Sequence, residues 1–203
     1  PVVCDELRVR SGGCRSRGGV RLADALGHAI EPPVPSLFTF KVSTPWLREL
    51  PGVTLESVAL SVPAVRLEER GALLITHEGL SGPAVLRLSA WGARKLHDLD
   101  YRFPLHLNWL PHLDAEALAA ELQSRRKAQP ARLVVNTPIA PLSARLWERL
   151  VLASGLPGDT RWADLSRAGR HQLVQQLLRT ELLVTGKSLN KDEFVTCGGV
   201  NLK

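Results

Sequence analysis

The feature that most constrains this chain is a change of hydrophobic period near Pro111. From residue 35 to 110 apolar residues alternate in short runs, and from 111 to 179 they recur every three or four positions. Alternation sends successive side chains to opposite faces of a strand, whereas a period near 3.6 gathers them on one face of a helix. The strand-like runs are 37–42, 55–62, 72–76 and 101–109, the last alternating around Phe103, Leu105 and Leu107. Helices are predicted over 114–127, 143–154 (closed by Gly155) and 166–179. Each carries an apolar stripe, such as Leu146, Leu150 and Val151, so the three can pack on one another. Strand character returns at 182–185 and 193–196. The pattern predicts an α+β chain in which a sheet region is interrupted by a helical insertion.

Punctuation refines this outline. Residues 20–30 read as a short helix with Leu22, Ala25 and Leu26 on one face and Gly27 as its stop. Glu31-Pro32-Pro33-Val34-Pro35 suits neither a helix nor a central strand and reads as a linker. Thr44-Pro45 predicts a helical turn capped by threonine. One helix is expected between the strands at 72–76 and 101–109, capped by Ser81, with Val85, Leu88 and Trp91 recurring at helical spacing. Near the ends, two strand-like runs halt at double glycines: 2–9 before Gly12-Gly13, and Phe194-Val195-Thr196-Cys197 before Gly198-Gly199-Val200. The sequence has no methionine, which predicts a processed or trimmed piece of a longer chain.

Charge narrows the function classes less. The net charge is +6, with Arg8, Arg10, Arg15, Arg17 and Arg21 crowding the first segment and Arg125, Arg126 and Lys127 closing a helix. Such runs are solvated faces or contacts to an acidic partner. An aromatic content of 5% argues against interleaved stacking platforms, and no zinc-finger, RRM or basic-zipper pattern is present. No apolar run reaches the roughly 18 residues of a membrane helix, and the expected location is the cytoplasm. Cys4, Cys14 and Cys197 fit neither a disulfide framework nor paired CxxC ligands and are read as reduced, mostly buried thiols. The histidines lack metal-ligand spacing, so no metal site is expected. GxSxG, GxxxxGK[ST] and GxGxxG are all missing, and Gly186-Lys187-Ser188 matches only the last three positions of a phosphate loop.

The segment with most chemical interest is Thr76-His77-Glu78-Gly79-Leu80-Ser81-Gly82-Pro83, where a strand meets two glycines and then a helix start. A helix start favours an anion, and glycines allow close approach of a ligand. The segment therefore reads either as a ligand contact or as a tight strand-to-helix turn. His77 and Glu78, as sequence neighbours on extended chain, point to opposite faces and do not form an acid–base pair.

In order, Gly12-Gly13, Gly27-His28, Pro32-Pro33 with Pro35-Ser36-Leu37, Thr76-His77 with Gly79-Leu80-Ser81-Gly82-Pro83-Ala84, and Val195-Thr196-Cys197-Gly198-Gly199-Val200 resemble the bacterial BaiN-like NAD(P)/FAD-dependent oxidoreductases, the aminoacetone-oxidase-family flavoproteins. The resemblance implies a Rossmann FAD-binding domain interrupted by a long insertion, part antiparallel, β-rich and barrel-like, part helical. On that basis 1–33 is a remnant of the FAD domain with its linker, 34–110 the first part of the β-rich subdomain and 111–179 the helical subdomain. Residues 180–203 would be the return strands and the way back into the FAD domain. It implies cofactor contacts at Gly12, Gly13, Thr196, Gly198, Gly199 and Val200, and a substrate-side position for Thr76, His77, Gly79, Ser81 and Gly82. The catalytic residues and the substrate stay unassigned. FAD, with NAD(P)H as possible reductant, belongs to the whole protein; this piece alone is expected to bind no cofactor and to be inert. Its expected partners are the remaining FAD-binding halves of the same polypeptide, with no membrane and no nucleic acid. Two departures are Arg10-Ser11 in place of Ala-Thr before the first glycine pair, and a shortened loop over 14–19. The reading from a different class is a basic module that binds nucleic acid or another acidic partner.

Overall fold

The period-two segments close on themselves. The computed structural model describes residues 18–188 and 195–201. After helix α1 (Gly18–Ala25) come β1 (Ile30–Pro35), β2 (Thr39–Val42), β3 (Thr54–Val62), β4 (Leu67–Ile75) and β5 (Gly79–Ser81). Helices α2 (Pro83–Trp91) and α3 (Ala93–Asp98) and strand β6 (Phe103–Asn108) follow. The helical insertion is α4 (Ala115–Ala128), α5 (Ala144–Ala153) and α6 (Arg167–Leu178), after which come β7 (Thr180–Ser188) and β8 (Thr196–Val200). Six of the described strands form a closed antiparallel barrel in the order β2-β5-β4-β3-β6-β7. Closure removes the free strand edges that an open sheet of these segments would expose. The fold is thus α+β, an antiparallel barrel interrupted by helices.

Alternation decides which residues fill it. Val58, Leu60 and Val62 of β3, Leu73 and Ile75 of β4, and Phe103, Leu105 and Leu107 of β6 are buried, while the intervening positions are more open. Phe40 meets Phe103 edge-on at 5.4 Å between ring centres, a favoured aromatic geometry. In the insertion, Asp114, Ser143 and Ser166 each accept a backbone N–H from the first turn of α4, α5 and α6. Trp147 and Trp162, both fully buried, donate their indole N–H groups to the Val134 carbonyl (2.7 Å) and Thr137 Oγ1 (2.8 Å). One apolar core runs from barrel to helices through Trp109.

The structure corrects several local expectations. Residues 30–35 are a strand, paired with β8 as a two-stranded ribbon outside the barrel. Proline lacks an N–H for the ladder but is tolerated at an edge or bulge, and the register shifts between Glu31 and Val34, across Pro32 and Pro33. Gly198-Gly199 does not halt its strand but lies within β8. The helix at 20–30 stops at Ala25, with Gly27 at φ +85° turning the chain, and its Leu22 and Leu26 are exposed. Neither Thr44 nor Ser81 caps with its side chain; the turn at Pro45–Glu49 rests on proline at its start, and Gly82 takes the cap position of α2. Two helices, not one, cross between β5 and β6. Of the three apolar residues at helical spacing, Val85 and Leu88 are buried, whereas Trp91 is 80% exposed. The strand expected at 2–9, Gly12-Gly13, Cys4 and Cys14 lie outside the described residues; Cys197 is partly buried and free.

Candidate functional site

The segment 76–82 folds as a tight hairpin that completes the barrel. Thr76 N–H donates to the Gly79 carbonyl (2.8 Å), and Thr76 Oγ1 accepts from Gly79 N–H (3.2 Å), so one threonine closes the turn from both ends. His77 and Glu78 are exposed at its tip. The Glu78 carbonyl accepts from Val42 N–H (3.0 Å), and β5 is then wedged between β2 and β4.

The glycines here serve close backbone approach. A Cβ on Gly79 (φ +152°) would lie 2.2 Å from the Phe40 carbonyl oxygen and 2.7 Å from Val42 N. One on Gly82 (φ +99°) would lie 2.9 Å from Leu74 N and 3.0 Å from the Ala72 carbonyl oxygen. Both glycines press on the neighbouring strands, and the face they vacate is filled by the protein itself. Ser81 is half-buried opposite Leu74 in the β4–β5 ladder.

Long-range contacts organise the tip. Glu78 accepts a hydrogen bond from Ser188 Oγ and faces Lys41 Nζ at 3.7 Å. The Ser188 hydroxyl chiefly holds the Glu78 carboxyl below its ordinary range, against an opposing desolvation, with the Lys41 ammonium adding a smaller pull in the same direction as the serine. A depressed carboxyl pKa stabilises the fold above the ordinary range, and that contribution is lost as pH falls through the lowered folded value. Ser188→Ala is expected to move the Glu78 titration back up toward the ordinary carboxylate position, read by carboxyl-carbon NMR; an unmoved titration would assign the depression to other groups.

The second group of sequence-predicted residues lies on the ribbon. Thr196 pairs with Pro35, Gly199 with Glu31 and Val200 with Ile30. Gly198 faces the bulge that the two prolines make: a Cβ there would stand 2.8 Å from the Pro32 carbonyl oxygen. Gly199 (φ +123°) has nothing within 4 Å of such an atom, so its face is open, beside the exposed Val200. The ribbon continues the β2–β7 pair of the barrel, with Ser36 N–H donating to the Val195 carbonyl (3.1 Å). Pro35 is four residues from Thr39, the register partner of Ser188, so at most ~14 Å of chain separates the end of the ribbon from the start of β2. Gly12 and Gly13 fall outside the described residues.

A wide, open cleft of about 700 Å³ lies elsewhere, between the outer wall of β3, β4 and β6 and the end of α6. Ser61, Glu68, Arg70, His106, Asn108 and Arg179 line it, and His106 turns Nε2 toward Glu181 at 3.7 Å. Its mixed charges point to no single ligand. Among the described residues no group of three or more His, Cys, Asp or Glu side chains is placed to hold a metal ion. No described helix is long and apolar enough to cross a membrane.

Sequence reasoning missed Lys41 and Ser188 as partners of Glu78, since Ser188 is 110 positions away and no local pattern announces it.

Residues 34–195 match the family described as HI0933-like protein barrel and H2TH domain. The chain is 31% identical to the ribosomal RNA dihydrouridine synthase of Escherichia coli (strain K12), over 98% of this chain and 49% of that protein. It is 27% identical to the protein of the same name from Haemophilus influenzae, again over 98% and 49%. A 3-dehydro-bile acid delta(4,6)-reductase from Clostridium scindens is 27% identical over 77% of this chain and 40% of that protein. The chain spans about half the length of the curated relatives it matches.

Proposed function

This chain belongs to the HI0933-like protein barrel and H2TH domain family, and we propose that it is the substrate-side insertion of a cytoplasmic flavin-dependent reductase whose substrate is a uridine of ribosomal RNA. The observation that carries this reading is the 31% identity to a ribosomal RNA dihydrouridine synthase, extending over 98% of the chain. The ribbon supports the insertion part of the reading. Chain enters the barrel through β1 and leaves through the adjacent antiparallel β8, and Asn201 N–H donates to the Ala29 carbonyl (2.8 Å). An excursion from another domain needs its two crossings side by side, and these are hydrogen-bonded to each other. The exposed Leu22, Leu26 and Val200 lie on the ribbon and the helix before it, and apolar side chains so placed suit burial against the remaining halves of the polypeptide.

FAD, with NAD(P)H as reductant, would supply the hydride chemistry. The described residues do not form an FAD cradle by themselves. Gly198 is committed to the β1 bulge, and the surface they offer is the open face of Gly199 beside Thr196 and Val200. In this reading that face flanks the cofactor, and the 76–82 hairpin, braced by Ser188 and Lys41, bounds the substrate side.

The test is the full-length polypeptide, purified and examined by visible absorption, then supplied with NAD(P)H and unmodified ribosomal RNA. The expected result is a bound flavin spectrum and conversion of uridine to dihydrouridine. A colourless protein that takes up no FAD overturns the flavoprotein reading; a flavoprotein that leaves the RNA unmodified overturns the substrate.

A further inference from the structure

Trp91 is the outlier among the tryptophans. Trp109, Trp147 and Trp162 are fully buried and Trp46 partly so, whereas Trp91 is 80% exposed on a well-formed helix. Its helix explains the exposure. Ala84, Val85, Leu88 and Ser89 of α2 are buried, which leaves Pro83, Arg87 and Trp91 on the opposite, solvent-facing stripe. That stripe starts where the 76–82 hairpin ends.

Three basic residues lie close to Trp91 along the chain. Arg87 precedes it by one helical turn, and Arg94 and Lys95 follow it at the start of α3. Arg87 is paired with Glu69 at 3.1 Å and Arg94 with Glu31 at 3.6 Å, the arginine side chains being 49% and 40% exposed. Lys95 Nζ donates to the Val65 carbonyl (3.1 Å). The Arg94–Glu31 pair is exposed on both sides, contributes little and yields readily to a stronger anion; Arg87 is held more firmly, by Glu69, itself 19% exposed, and by the Arg70 carbonyl, while its own side chain stays half exposed. The contact between Arg94 and Glu31 also ties α3 to β1, so the patch borders the ribbon on which the rest of the polypeptide is proposed to sit.

An exposed aromatic face among arginines and a lysine has a specific complement: a base that stacks, with phosphates on either side. We infer that the outer face of α2 is a platform for a single-stranded RNA segment, with one base stacked on Trp91 and the flanking phosphates met by Arg87, Arg94 and Lys95. This rests on the ribosomal RNA reading above and adds where the RNA is gripped outside the reacting nucleotide. The net charge of +6 agrees in sign.

The test measures binding of a fluorescent single-stranded, uridine-rich RNA to the full-length flavin-loaded protein. Trp91→Ala should weaken binding about 10-fold, in the range found for loss of one stacked base, and Trp91→Phe should stay within about threefold of wild type. Arg87→Gln should lower the slope of log affinity against log salt by about 0.7. Equal affinity for Trp91→Ala and wild type overturns the inference and leaves the RNA reading standing. A wild-type protein that holds flavin but no RNA at low salt overturns the RNA reading itself. If Trp91→Ala instead loses flavin or solubility, the indole is covered by the other half of the polypeptide, and the platform is likewise overturned.

Discussion

Gly79→Ala is expected to be among the most destabilising single substitutions in the chain, although it adds only a methyl group. The added carbon would stand 2.2 Å from the Phe40 carbonyl oxygen, and the obstacle is backbone, which no rotamer change can move aside. Two costs combine. An L-residue held at φ +152° costs on the order of 1–3 kcal/mol, and forcing an extra methyl group into close packing adds about 1–3 kcal/mol. Their sum, roughly 2–6 kcal/mol, is large against the 5–15 kcal/mol that typically holds a domain together. Relief would require β5 to leave β2, which opens the barrel and separates Glu78 from Lys41 and Ser188. Gly52→Ala is the control, since Gly52 also has positive φ (+85°) but nothing within 4 Å of the added carbon. It should lose only the conformational part, about 1 kcal/mol. Urea unfolding midpoints of the two variants decide the matter: equal shifts would mean that strand crowding at Gly79 carries no weight.

The same glycine shows how much of the candidate site can be read from sequence. A strand, a glycine, a serine, a second glycine and a proline-led helix were legible in order, because each has a local signature. Why Gly79 must be glycine was not, because the crowding atoms belong to Phe40 and Val42, and their approach follows from barrel closure. The helical insertion was legible for a complementary reason. Asp114, Ser143 and Ser166 are caps followed at once by apolar stripes, and cap and stripe interact within a few residues. The β1 strand was hidden because Pro32 and Pro33 speak against a ladder, and only the bulge opposite Gly198 resolves the conflict. The exposure of Trp91 was not legible, because helical spacing names candidate faces, while the neighbours that β4 and β3 offer choose among them.

Trp109→Ala is expected to uncouple the barrel from the helices. Trp109 directly follows β6, is fully buried, and donates its backbone N–H to the Leu177 carbonyl of α6 (3.0 Å). Its indole N–H donates to Thr180 Oγ1 (2.6 Å), whose own hydroxyl donates to the Gln176 carbonyl. A single side chain thereby joins the last turn of α6 to the first residue of β7, while its ring lies 6.4 Å from that of Trp46 at the barrel end. Truncation removes the ring from the core at about 3–5 kcal/mol. Trp109→Phe keeps most of the apolar contact and loses the N–H, so it should cost nearer 1–3 kcal/mol, much of it from leaving Thr180 Oγ1 without its donor. Far-UV circular dichroism follows the helices, and fluorescence in a variant where Trp91, Trp147 and Trp162 are phenylalanine, which leaves Trp46 and, where it is intact, Trp109, follows the barrel. In that background the two probes should give one transition with Trp109 intact and separate transitions for Trp109→Ala, because the shared core is what makes the chain unfold as a unit. Coincident transitions with a loss under about 1 kcal/mol would place the coupling elsewhere in the core.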